Sequence, residues 1–184
     1  MAQTPSNMLP LNTKAPDFNL IDTVTQKEIS LDDIKGIKAT VVMFICNHCP
    51  FVIHVNKELV KLGNDYKNKG IGFVAISSND IEKYPQDSPE LMKKQAEELG
   101  YYFRYSYDET QEIAKAYDAA CTPDFYIFNH ELKLVYRGQL DDSRPSIEIP
   151  VTGRDVRHAL DSILTGKGID KNQIPSMGCG IKWK

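Results

Sequence analysis

The sequence lacks what would place it at a membrane or on a nucleic acid. No stretch approaches the ~20 apolar residues needed to span a bilayer, and Met1 to Pro10 has neither the charged start nor the apolar core of an export signal. Excess positive charge is missing as well: 22 Lys and Arg stand against 25 Asp and Glu, for a net charge of −3, and no basic cluster offsets this locally. Neither nucleic acid nor an anionic membrane is therefore expected as a partner. Cysteine is sparse, with four in 184 residues, and a chain of this length that is 41% hydrophobic buries a core without disulfide staples. The expected compartment is the reducing cytoplasm, where cysteines serve catalysis or metal binding. There is no internal repeat or low-complexity segment, and Ser143 to Pro150 reads as a loop rather than a linker.

What is present is organised around Thr40-Val41-Val42-Met43-Phe44-Ile45-Cys46-Asn47-His48-Cys49-Pro50. Thr40 to Ile45 is unbroken and β-rich, the pattern of a strand buried on both faces, and an amphipathic helix follows Pro50. The two cysteines sit at the join. Unpaired N–H groups and the positive end of the helix dipole favour an anion there, which makes Cys46 the candidate thiolate and Cys49, deeper in the helix, the less reactive partner. Two intervening residues let Cys49 close a disulfide with Cys46. Buried structural cysteines, half of a zinc site and an iron–sulfur ligand pair also fit a lone CxxC; its place at a strand-to-helix junction favours a reversible dithiol.

In chain order, residues 1–14 are polar and proline-punctuated and read as a loosely held arm, followed by a domain over residues 15–166 and a tail over 167–184 packed on it. Ala15 to Leu20 and Lys27 to Ser30 read as a β-hairpin. Val55, Leu59, Leu62 and Tyr66 form one stripe of the helix after Pro50, which ends near Gly70. Ile71 to Ser77 is the next buried strand, giving a right-handed crossover and a parallel pair. Ser77 to Asp80 lies at the C-terminal end of that strand, on the side of the Cys46 junction, so Asn79 or Asp80 either faces the site or simply forms the turn.

Ser88-Pro89-Glu90 and Gly100 bracket a further helix. Tyr101 to Tyr107 reads as an edge strand, and Asp108 with Gln111 as a capping box for a helix through Tyr117. Asp124 to Phe128 and Leu132 to Gly138 form a hairpin, and Arg154 to Leu164 is a last helix with Thr152 as its cap. The tail has no apolar period until Cys179, Ile181 and Trp183.

The junction, together with Cys121-Thr122-Pro123 and the ending Gly178-Cys179-Gly180-Ile181-Lys182-Trp183-Lys184, resembles a thioredoxin-fold protein. Within that superfamily it is most similar to the alkyl hydroperoxide reductase and thiol-specific antioxidant, or peroxiredoxin-like, group, in a small branch with CxxC and this tail. The resemblance implies an α/β, three-layer fold: a central mixed sheet flanked by helices, with the hairpin as an N-terminal extension. It implies that the Thr122–Pro123 bond is cis and that Thr122 and Pro123 form a substrate platform beside the dithiol. His48, placed as in the Cys-x-His-Cys of protein disulfide isomerase, would modulate Cys46. Aligned on Cys49-Pro50, the threonine and proline positions of the peroxiredoxin motif are Cys46 and Val42, and Arg137 or Arg144 is the candidate for its arginine. Thioredoxin's tryptophan before the first cysteine is Ile45 here.

The expected function is thiol–disulfide oxidoreduction, with Cys46 as nucleophile, Cys49 as resolving thiol and no bound cofactor or metal. The substrate is a protein or small-molecule disulfide, and a thiol serves as reductant. The alternatives are a peroxide reductase passing through a sulfenic acid, and a metal-binding or metal-delivery protein using Cys46, Cys49 and a third ligand, Cys121 or His48. Cys121 is otherwise a buried small hydrophobe. Cys179 is either buried under an anchored tail or folded toward the dithiol to accept its disulfide.

Overall fold

The strand that leads into the first cysteine is the centre of the molecule. The computed structural model describes residues 3–184, and the elements run β1 (Gln3–Pro5), β2 (Asn19–Ile21), β3 (Glu28–Ser30), α1 (Leu31–Ile34), β4 (Ala39–Phe44), α2 (Pro50–Tyr66), β5 (Ile71–Ser77), α3 (Pro89–Leu99), β6 (Arg104–Tyr107), α4 (Glu112–Ala116), β7 (Cys121–Thr122), β8 (Asp124–Asn129), β9 (Leu134–Gly138), α5 (Arg154–Leu164) and β10 (Met177–Gly180). Five strands form one sheet in the order β6-β5-β4-β8-β9. β4 is parallel to β5 and antiparallel to β8, so the sheet is mixed.

Every residue of β4 is buried, which explains why the sequence shows an apolar run there and no alternation. Val41 and Met43 face one layer with Leu59 and Leu62 of α2 and Val156 and Leu160 of α5. Val42 and Phe44 face the other, with Leu31 of α1, Ala114 of α4 and Phe18 and Ile29 of the β2–β3 hairpin. Fully burying a Leu such as Leu59 or Leu62 contributes about 1.5–3 kcal/mol. The stripe Val55, Leu59, Leu62 and Tyr66 is buried as its spacing predicts. Ser88 and Gly100 bracket α3, with Gly100 at φ 73° in the left-handed region that closes a helix.

Three local readings need correction. The arm is held rather than loose: Gln3–Pro5 pairs with β10, and the Asn12 N–H and Thr13 carbonyl bond to Leu134; residues 1 and 2 lie outside the described residues. Of the expected capping box for α4 only Asp108 acts, its carboxylate accepting the Ala114 N–H at 3.0 Å, while the Gln111 amide donates to the carbonyls of Ser78 and Lys182. The cap of α5 is Gly153, with Thr152 one position earlier accepting from the Arg154 N–H at 3.3 Å. The tail, expected only to pack on the domain, contributes β10, the middle strand of a second sheet, β1-β10-β7.

Candidate active site

The Ile45 N–H still bonds to the Ile76 carbonyl, at 3.0 Å, so the chain leaves the sheet only at Cys46. Helix α2 begins at Pro50, where the missing N–H costs nothing, and Cys49 is its N-cap with φ −68° and ψ 121°. Cys49 is thus at the helix start and Cys46 lies three residues outside it, the reverse of the sequence expectation.

Both sulfurs converge on one residue. Cys46 Sγ lies 3.4 Å from Thr122 Oγ1, and the Cys49 thiol donates to the Thr122 carbonyl at 3.2 Å. The Thr122–Pro123 bond is cis. All four cysteines are free thiols and all are buried.

The loop between the cysteines is fastened by Asp87, in the turn before α3. Its carboxylate is buried and accepts the N–H groups of Asn47 at 2.8 Å and His48 at 3.2 Å, His48 Nδ1 at 2.6 Å, and the Asn79 amide at 2.8 Å. A buried carboxylate tolerates removal from water when it is satisfied this fully. The His48 ring stacks on Tyr84, with centroids 5.1 Å apart, and Tyr105 donates to Asn47 Oδ1 at 3.1 Å. Sequence reasoning missed Asp87. The loop after β5 drew notice only at Asn79 and Asp80, and of these Asn79 links the site to the tail by accepting the Lys182 N–H at 2.8 Å.

These neighbours decide where a thiolate sits. The Cys46 thiol is pushed well up, by its hydrogen bond to Cys49, by burial and by the nearby Asp87 carboxylate. Cys49 is pushed down to about 5: the Cys46 thiol donates to it, and so do the Cys179 thiol, Thr122 and the Val52 N–H, which together outweigh burial. Within the pair, the lower thiol is the one at the helix start, Cys49. His48, expected to modulate Cys46, has Nδ1 engaged with Asp87. Cys46, His48 and Asp87 nonetheless each present one donor atom within 4.8 Å of the others.

The remaining candidates divide. Cys121 points at the Pro123 carbonyl, 3.8 Å away, and burial raises its thiol, so its environment is that of an inert core residue. Arg137 is buried, but its guanidinium donates to the Asp118 carbonyl at 2.8 Å and the Tyr126 hydroxyl at 3.1 Å and lies 3.7 Å from Asp124, so these groups hold it rather than a sulfur. Arg144 bonds to the Asp141 and Ser143 carbonyls and to Gln139. The platform expected at Thr122 is covered by the chain itself, since β10 pairs with Cys121 and Thr122. Cys179 lies in the apolar cluster that contains Cys46 and Cys49.

A mixed sheet whose central strand leads into paired thiols at a helix start, with a cis proline opposite, defines a thioredoxin-like protein. The same fold appears in the thioredoxin domain of a thiol-disulfide oxidoreductase from Bacteroides vulgatus, 25% identical over 71% of this chain and 89% of that one, with a TM-score of 0.60. Residues 11–137 match the AhpC/TSA family, and the chain belongs to it: it is an oxidoreductase of the redox-thiol kind. Two further crystal structures are similar over nearly the whole length. An uncharacterized conserved protein from Geobacillus kaustophilus is 63% identical, covering 100% of this chain and 97% of that one, with a TM-score of 0.98. A hypothetical protein from Sinorhizobium meliloti is 44% identical, covering 98% of each, with a TM-score of 0.96. Comparison with curated proteins gives no match. Among the described residues, no helix is long and apolar enough to cross a membrane.

Proposed function

We propose that the protein is a thiol–disulfide oxidoreductase in which Cys46 and Cys49 cycle between dithiol and disulfide. The observation that carries this reading is the convergence of both free sulfurs on Thr122 at the head of α2. The Cys49 thiolate attacks one sulfur of a substrate disulfide; a Cys49–substrate bond forms and the other substrate sulfur leaves with the electron pair. Cys46 then loses its proton and attacks Cys49 Sγ, closing the Cys46–Cys49 disulfide and releasing the second substrate sulfur, which takes up the proton. Two electrons have passed to the substrate, and a thiol reductant restores the dithiol.

Once Cys49 is bonded to substrate its negative charge is gone, and with it one of the influences holding the Cys46 proton in place. Thr122 orients both sulfurs, Pro123 shapes the loop opposite them, and Asp87 with His48 positions the intervening residues. The exchange needs no bound cofactor. Protein or small-molecule disulfides are the substrate class, and the cytoplasm is the compartment in which the reduced cysteines persist.

Peroxide reduction is the second reading, favoured by the family match. Cys49 would attack the O–O bond to give a sulfenic acid, and Cys46 would condense with it, expelling water. It ranks second because Arg137 is engaged with Asp118, Tyr126 and Asp124. The Cys46, His48 and Asp87 cluster supports metal binding as a third reading. The test compares the rates at which the purified, reduced protein consumes a protein disulfide and hydrogen peroxide, with metal content measured alongside. Rapid disulfide exchange without stoichiometric metal is expected; fast peroxide consumption selects the second reading, and retained copper, zinc or iron the third.

A further inference from the structure

The C-terminal segment is bound more tightly than its composition requires. β10 lies between β1 and β7, with Cys179 opposite Gln3 on one side and Thr122 on the other. A Cβ on Gly178 would stand 2.0 Å from the Thr122 carbonyl oxygen, so only glycine lets this strand lie against the residue that gathers the two sulfurs. Beyond it, the Lys182 carbonyl accepts from the Asp80 N–H at 2.8 Å and the Gln111 amide at 2.9 Å, and the Lys184 N–H donates to Gln111 Oε1 at 3.0 Å. Asn79 and Gln111, which hold this segment, are themselves buried.

The result is a third thiol against the pair. Cys179 is buried in one cluster with Cys46 and Cys49 and sits opposite Thr122, the residue on which both of those sulfurs converge. A cysteine serving only as a small core residue would be placed equally well against any aliphatic neighbour.

We propose that Cys179 is a second resolving thiol for Cys49, a role that rests on the dithiol reading above. When a disulfide substrate has left one of its sulfurs bonded to Cys49, Cys179 loses its proton and attacks Cys49 Sγ. A Cys49–Cys179 bond forms, the bond from Cys49 to the substrate breaks, and the departing substrate sulfur keeps the electron pair and takes up the proton. The same attack on a Cys46–Cys49 disulfide moves the bond to Cys49–Cys179 and returns Cys46 to the thiol, with no net change in oxidation state.

In the reduced protein Cys179 is a poor nucleophile, pushed up to about 12 by burial and by the Cys49 thiolate beside it. Conversion of Cys49 to a disulfide removes that anion, so Cys179 is activated only when there is a bond to resolve. The enzyme then has two oxidised forms, and the second ties β10 covalently to the head of α2.

The test treats reduced wild type, Cys46→Ser, Cys46→Ala and Cys46→Ser/Cys179→Ser with glutathione disulfide, quenches in acid and maps disulfides by peptide mass spectrometry, with melting curves reporting folding. Cys46→Ser and Cys46→Ala are expected to lose two hydrogens, yield a Cys49–Cys179 peptide and retain no glutathione. The double variant is expected to keep glutathione on Cys49, and wild type to give a Cys49–Cys179 peptide beside the Cys46–Cys49 one. Wild type that forms only Cys46–Cys49, with glutathione persisting on Cys49 in both folded single variants, overturns the second resolving thiol and leaves the dithiol reading intact. Wild type that acquires neither adduct nor disulfide overturns both.

Discussion

The Thr122 carbonyl accepts the Cys49 thiol at 3.2 Å, which places the head of α2 directly against the proline loop. The same residue's hydroxyl lies 3.4 Å from the Cys46 sulfur. When Cys49 ionises its bond to the carbonyl is lost, and the Thr122 hydroxyl is among the donors left to the anion, with the Cys46 and Cys179 thiols and the Val52 N–H.

Thr122→Val keeps the shape and the carbonyl and removes that hydroxyl. Because Thr122 lowers both thiols, the pH midpoints for alkylation of Cys46 and Cys49 are expected to rise. The loss of stability is about 1 kcal/mol, the usual net worth of one hydrogen bond. Alkylation profiles that match wild type would remove Thr122 from the electrostatics of the site.

Asp87→Asn tests the buried carboxylate. The substitution removes the charge that helps hold the Cys46 proton, so the Cys46 thiol should fall toward the ~8.5 of a free cysteine. It also disturbs the bonds from Asn47, His48 and Asn79, for a stability loss of about 1–3 kcal/mol. Site-resolved labelling against pH in a Cys49→Ser background reads the first effect and urea denaturation the second. A Cys46 profile unmoved by Asp87→Asn contradicts the assigned influence.

The sign of the pH dependence follows from Cys49, held down at about 5 in the folded protein against ~8.5 unfolded. A group depressed on folding contributes stability that is fully present above its unfolded value and is lost as the pH falls through its folded value. The advantage of the reduced wild type over Cys49→Ser should therefore be largest near pH 9 and shrink toward pH 5. Parallel denaturation series that differ by the same amount at both ends would refute the depressed thiol.

Gly178→Ala probes the tail. The added Cβ meets the Thr122 backbone at 2.0 Å, where nothing flexible can yield, so β10 must lift from β7. Overpacking of this kind costs about 1–3 kcal/mol. Faster modification of Cys49 and Cys179 by a thiol reagent should accompany it, and undisturbed reactivity would mean that β10 does not shield the site.

The frame was legible because its signals are local. The unbroken run before Cys46, the Val55–Leu59–Leu62–Tyr66 stripe, and Ser88 with Gly100 each specify an element through neighbours in sequence. At the site, the paired thiols at a strand-to-helix join were legible, while the helix start was placed too early, at Cys46. Whether the helix start falls at Cys46 or Cys49 decides which thiol meets the helix N–H groups, and Pro50 at the first helical position was the available sign. Asp87 gave no comparable signal: it meets Asn47 and His48 only because the chain after β5 folds back across the junction. The Gly178-Cys179-Gly180 strand has no hydrophobic period, and its partners are the short strands β1 and β7, so only the folded chain reveals it.

The most direct test of the dithiol is to equilibrate the wild-type protein in glutathione redox buffers of graded potential, trap the thiols with acid and alkylation, and map the cysteines. A reversible Cys46–Cys49 disulfide is predicted, with a potential above the ~ −270 mV of thioredoxin, because the depressed Cys49 thiolate stabilises the reduced form. Cys46 and Cys49 that remain free thiols across the whole range would contradict the account.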